Sequence, residues 1–218
     1  MDKDMDVELK IESLIKHFTE TPFNEEVQIA RRVFFENAGV LDEKHEQFDQ
    51  RMAQFLDWYL FTRPQRNGGR TPLKMVLQEP QNYSSLIEPQ EIKALAEYRH
   101  SLFEYLKIKG EDLYLYDLFT KTKIIVRRSP WIFGFDRNAM IEARLILYEN
   151  NHYFSKGICI HPPEARSFIL KQVKKCRKQS IAEKEALLLK LLKLCYKFNQ
   201  YRHVKLESIY TPENLEKV

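Results

Sequence analysis

Apolar residues recur every three or four positions through the first hundred residues, and from Ser101 the spacing shortens to two. Val7, Ile11, Leu14, Ile15 and Phe18 form a first helical stripe, ended near Thr21-Pro22. Val27, Ala30, Phe34 and Ala38 form a second, with Asn24 as cap and Gly39 as stop. The third stripe, from about Asp42, is the most apolar: Phe48, Met52, Phe55 and Tyr59, widened by Leu56 and Leu60, with Trp58 and Phe61 outside it. A helix apolar nearly all round is expected to lie between layers. Its polar residues Gln50, Gln54 and Asp57 follow their own helical strip, which places Asp57 at an exposed rim, because acids are rarely buried unless paired. Pro64 ends the helix, Gly68-Gly69 turn the chain, and Thr71-Pro72 cap and start a short fourth helix. A fifth runs from about Pro89 to Arg99.

Alternation then predicts strands at Ser101–Ile108, Leu113–Tyr116, Ile124–Val126, Met140–Tyr148 and Tyr153–Ile160, with hairpin signals at Gly110 and Asn150-Asn151. Pro162-Pro163 stop this region. Phe168, Leu170 and Val173 lead one helix, and Ser180 with Glu183 makes a capping box for another. In the latter, Leu187, Leu191, Leu194, Phe198 and Tyr201 form a stripe that Leu188, Leu192 and Cys195 widen. A face that wide packs on the protein's own body or on a second copy, giving a homo-oligomer through the leucines. The expected class is α+β: an N-terminal helical part over residues 1–100, a small antiparallel five-stranded sheet or partly open barrel over 101–161, and two basic helices over 162–218 that pack on the rest.

Composition narrows the class without naming a function. Hydrophobic content of 44% with 30% charged residues in 218 residues is ordinary globular composition. No apolar run approaches the ~20 residues of a membrane span. The acidic start MDKDMDVELK lacks the basic and apolar regions of a signal peptide. Three scattered cysteines suit a reducing compartment, so a cytoplasmic location is expected. The net charge of +4 hides a gradient: residues 1–50 carry 13 acids and 6 bases, residues 156–205 carry 3 acids and 13 bases. Such asymmetry marks either a polyanion-binding end or two ends that dock.

The string FLDWYLFTRP, a glycine-containing gap, TPL and the strand-rich stretch after it resemble an uncharacterised bacterial family, over roughly Phe48 to Lys171. SLFEYLKI, LYLYDLFT and MIEARLIL extend the resemblance. Some members of that family lie beside a SEC-C zinc motif. Here Cys159, Cys176 and Cys195 are scattered and form no paired-cysteine zinc signature. The resemblance implies no particular activity.

Several chemistries lack their sequence signatures. There is no HExxH, His-x-His, CxxC, Walker loop, Rossmann fingerprint or GxSxG elbow, so neither enzyme nor cofactor nor metal is expected. Cys159 and His161 are alternate strand residues, spaced too far apart for direct proton transfer, and His161 before two prolines reads as a surface histidine at a strand end.

Three sets of binding candidates remain. Lys171, Lys174, Lys175 and Lys178 line one side of the first C-terminal helix, and Lys190, Lys193 and Lys197 line the polar side of the second, as a candidate polyanion contact. Arg63, Arg66 and Arg70 beside Gly68-Gly69, with Arg127 and Arg128 at a strand end, are candidate phosphate or ligand contacts. The Arg127-Arg128 pair is similar to the paired arginines of PilZ-type cyclic-dinucleotide receptors, although the companion Asp/Asn-x-Ser-x-x-Gly element is missing. Trp131, Phe133 and Phe135 either plug the sheet's end or form an aromatic surface. The leading expectation is a non-catalytic binding or regulatory protein acting through an unidentified protein partner. Nucleic-acid binding, DNA or RNA, by the basic helices comes second, and small-ligand sensing third.

Overall fold

The computed structural model describes residues 7–40, 46–66, 68–127, 135–136, 138–201 and 203–216. The fold is α+β. Helices α1 (Val7–Thr19), α2 (Asn24–Ala38), α3 (Phe48–Phe61), α4 (Pro72–Gln78) and α5 (Pro89–Ala96) precede strands β1 (Arg99–Lys109), β2 (Asp112–Asp117), β3 (Thr122–Val126), β4 (Met140–Tyr148), β5 (Asn151–Phe154) and β6 (Cys159–His161). Helices α6 (Arg166–Cys176), α7 (Ile181–Gln200), α8 (Leu206–Ile209) and α9 (Pro212–Glu216) follow. Residues 41–45, where the periodicity starts the third helix, lie outside the described residues. The strand order is β3-β2-β1-β4-β5, with β6 pairing β4 off this path; β1–β2, β2–β3, β4–β5 and β4–β6 pair antiparallel.

The residues form two compact units: residues 1–34, 41–99 and 144–157 make the first, and residues 35–40, 100–143 and 158–218 the second. In the first unit Leu14, Phe18, Phe34, Phe55, Tyr59 and Leu60 are fully buried. The one polar atom of the Tyr59 ring is satisfied across the helix pair, its hydroxyl donating to the Phe18 carbonyl at 2.9 Å. Burial of that hydroxyl pushes its pKa up to about 12. The β4–β5 hairpin turns on Glu149 and Asn150, with φ of 46° and 63°. Paired positive φ values are what a two-residue hairpin turn needs, and they set the turn one residue earlier than Asn150-Asn151.

In the second unit Leu188, Leu191 and Leu194 of α7 join Ile169 and Val173 of α6 and Leu102 and Met140 of the strands in one core cluster. The leucine face of α7 therefore packs within its own unit. The caps read from sequence are present: Thr71 Oγ1 accepts from the Lys74 N–H at 3.2 Å, and Ser180 with Glu183 closes a reciprocal capping box.

The expected strand Tyr153–Ile160 is interrupted between β5 and β6. The reason lies on α3. Gln50 Nε2 donates to the Lys156 carbonyl at 3.0 Å, and Asp57 accepts from the Ser155 hydroxyl and from the Gly157 N–H at 3.0 Å. Gln50 and Asp57 of the polar strip thus bond to this segment. Asp57, expected at an exposed rim, is 1% exposed. The Ser155 N–H still donates to the Arg144 carbonyl of β4 at 3.1 Å, and beyond it the chain leaves the ladder.

Candidate functional sites

In the first unit, α1 and α3 are held together by Tyr59 at one end and spread over a cleft of about 460 Å³. Ile15, Met52, Ala53 and Leu56 line it and are half-buried, so apolar surface remains open to solvent. The rim is charged. Lys156 Nζ bridges Glu8 at 2.7 Å and Glu12 at 2.5 Å, and these two carboxylates raise its pKa, Glu12 foremost. Asp49 adds a further exposed acid. At the floor, Asp57 Oδ2 accepts from Ser155 and Gly157, with Arg144 Nη1 at 4.0 Å. Arg144 itself is fixed by a 2.8 Å bond to Thr62 Oγ1. A carboxylate oxygen engaged in this way anchors the 155–157 segment.

The second unit holds a buried cluster of sulfur, imidazole and carboxylate groups. Alternation on β6 points Cys159 and His161 inward and Ile160 outward. Cys195 of α7 meets them, and one ligand atom from each of the three residues lies within 4.8 Å of the others. His161, read from sequence as a surface residue, is 0% exposed. Its Nδ1 is 3.3 Å from the Tyr210 hydroxyl, and its Nε2 is 3.4 Å from Glu142 Oε2. His100 lies beyond, with Nε2 3.7 Å from Glu142 Oε1 and Nδ1 2.8 Å from Glu185 Oε2.

Burial pushes the His161 pKa down, but Cys195 and Glu142 outweigh it and raise it to about 9. The Cys159 hydrogen bond, with His161, holds the Cys195 thiol well below its ordinary range despite burial. Glu142 is likewise kept low, because His100 and His161 overcome its desolvation. The contacts within the cluster thus lower the Cys195 and Glu142 values and raise that of His161.

The residues singled out in sequence are dispersed. Arg63 is buried and bonded to Glu26; Arg66 reaches Glu26 at 3.2 Å and Glu25 at 3.6 Å; Arg70 pairs with Glu79 at 2.8 Å. Each of these guanidiniums already has a carboxylate. Arg127 is exposed, while Arg128, Trp131 and Phe133 lie outside the described residues. Phe135 is half-buried with its ring 5.6 Å from that of Tyr105. Lys171, Lys174, Lys175, Lys178 and Lys197 are exposed and Lys190 and Lys193 half-buried. None of the seven pairs with a carboxylate among the described residues. Sequence reasoning missed the Cys195 partnership and the α1–α3 cleft. The one local trace of the former is Cys-x-His on a strand, which alternation places on one face.

Fold and sites define an α+β protein with an open apolar cleft in one unit and a closed cysteine–histidine–carboxylate cluster in the other. The chain belongs to a family of unknown function, DUF7986, whose model matches residues 5–206. Comparison with curated proteins and with solved structures gives no match. Among the described residues no helix is long and apolar enough to cross a membrane.

Proposed function

We propose that this is a non-catalytic binding protein that acts through a protein partner, with the α1–α3 cleft as its recognition surface. The observation that carries this reading is the half-exposed strip Ile15, Met52, Ala53 and Leu56, set between two helices in a cleft of about 460 Å³. Two walls of side chains at helical spacing suit a third amphipathic helix, whose apolar residues at i, i+3 and i+4 would fill the gap. Methionine in the wall adapts to varied side chains. The rim favours one kind of flank. Glu8, Glu12 and Asp49 outnumber the lysines that face them, so a basic amphipathic segment fits better than an acidic one.

Titration with the neutral apolar dye N-phenyl-1-naphthylamine tests the cleft. One saturable site, weakened at least tenfold by Leu56→Asp or Ile15→Asp in folded protein, supports it. Binding that these substitutions leave unchanged places the open apolar surface elsewhere and overturns the reading.

A second reading rests on a separate observation. Six lysines of α6 and α7, with Lys178 between the two helices, lack carboxylate partners among the described residues. Uncompensated lysine rows attract phosphate backbones, with affinity that falls as salt rises. Binding to duplex DNA or RNA should then show a log–log salt slope near −0.9 per neutralised phosphate. A Lys190/Lys193/Lys197→Gln variant should flatten that slope. No binding at ~50 mM salt rejects this reading.

A further inference from the structure

From the cluster in the second unit we infer that Cys159, Cys195 and His161 hold a structural zinc ion, with the Tyr210 hydroxyl at the fourth position and Glu142 orienting the histidine.

The donor set comes first. Two thiols and an imidazole from β6 and α7 converge with all three donor atoms within 4.8 Å of one another. Tetrahedral zinc with Zn–S near 2.3 Å holds its sulfurs about 3.8 Å apart, so binding draws the donors in by no more than about 1 Å. Soft thiolates with imidazole select zinc over the hard cations that prefer oxygen. Tyr210 would complete the shell, its hydroxyl 3.3 Å from His161 Nδ1. Nδ1 is thus the coordinating nitrogen.

The second observation concerns atoms left over. His161 Nε2 and Glu142 Oε2 are both buried and lack a well-formed hydrogen bond, although they lie only 3.4 Å apart. Metal-bound histidine almost always donates its other N–H to a carboxylate or carbonyl. A small turn of the ring toward the metal brings Nε2–H onto Oε2 and satisfies both atoms at once. Glu142 is braced in turn from His100.

Charge balance agrees: the two charges of zinc cancel those of two coordinated thiolates. All of these groups are closed off from solvent, as in structural sites; catalytic zinc keeps an open position. The ion would cross-link β6, α7 and the segment after α8. This is independent of the cleft reading, since it uses none of the same residues.

The full chain, purified reduced and without chelators, should contain one zinc per molecule. After chelator stripping it should take up one equivalent of cobalt(II), with sulfur-to-cobalt charge-transfer and tetrahedral ligand-field bands. X-ray absorption of the zinc form should show two sulfurs near 2.3 Å and two nitrogen or oxygen donors near 2.0–2.1 Å. Cys159→Ser and Cys195→Ser should each abolish stoichiometric uptake, whereas Cys176→Ser should keep one equivalent. If the serine variants do not fold, the wild-type cobalt titration and absorption shell decide alone. Substoichiometric zinc and cobalt after loading would overturn the inference. So would copper as the stoichiometric metal, or a Cys159–Cys195 disulfide in the freshly reduced and purified protein.

Discussion

Gly157 and Asp57 are so close that a Cβ on residue 157 would lie 2.5 Å from Asp57 Oδ2, the same oxygen that accepts the Gly157 N–H at 3.0 Å. The chain leaves the strand at this point because a helix carboxylate takes over the hydrogen bonding of its backbone. The obstacle is the short, buried root of the aspartate, whose Cβ and Cγ also lie within 3.0 Å of the added atom. Gly157→Ala should therefore lose about 1–3 kcal/mol of stability, as overpacking does, measured by urea unfolding. Asp57→Ala should cost less in the Gly157→Ala background than in the wild type, because the collision is relieved. Additive effects would show that the two residues do not meet.

Asp57→Asn tests the buried carboxylate itself. The Ser155 hydroxyl and the Gly157 N–H both donate to Oδ2, so the amide oxygen can take that place and the substitution removes the charge from two charge-assisted bonds. A loss of about 1–3 kcal/mol is expected. A change within ~0.5 kcal/mol, as at exposed surface positions, would mean that the residue faces water after all.

Glu26 makes stability depend on pH in a defined direction. Burial raises its pKa, but hydrogen bonds from Arg63 and Arg66 outweigh this and hold it below its ordinary 4.5. Its contribution is therefore complete above about 4.5 and is lost as pH falls through the lower folded value. Glu26→Gln should cost about 1–3 kcal/mol at neutral pH. The gap between variant and wild type should close on acidification; a gap that stays constant to acid pH would remove the ion pair from the account.

The α7 helix should depend on both its start and its middle. Ser180→Ala removes the side chain that accepts from the Glu183 N–H and should cost about 1 kcal/mol. Leu191→Ala leaves a cavity in a fully buried cluster and should cost about 2–5 kcal/mol. Chemical denaturation of both variants checks the ranking, and equal losses would contradict it.

What could be read from the chain was what its neighbours in sequence decide. Thr71 with Pro72, and Ser180 with Glu183, are caps whose partners lie three residues away, so the string alone placed them. Periodicity likewise located α1, α2, α7 and β4. Asp57 and His161 were misread for the opposite reason. The donors to Asp57 are 98 and 100 residues distant, and Tyr210 is 49 residues from His161. A polar strip that faces a distant backbone has the same spacing as one that faces water. The cysteine pair escaped notice because it shares no short spacing: β6 and α7 bring Cys159 and Cys195 together only after the second unit has folded.

The cleft is tested most directly with two fluorescent helical peptides that share one apolar face, one flanked by lysines and the other by glutamates. Fluorescence anisotropy with the full chain should show saturable binding of the lysine-flanked peptide, at least tenfold tighter than its acidic twin. Leu56→Asp should abolish it while the circular dichroism spectrum stays unchanged. Equal affinity for both peptides, or binding that survives Leu56→Asp, would contradict the assignment of the α1–α3 cleft as the partner-binding surface.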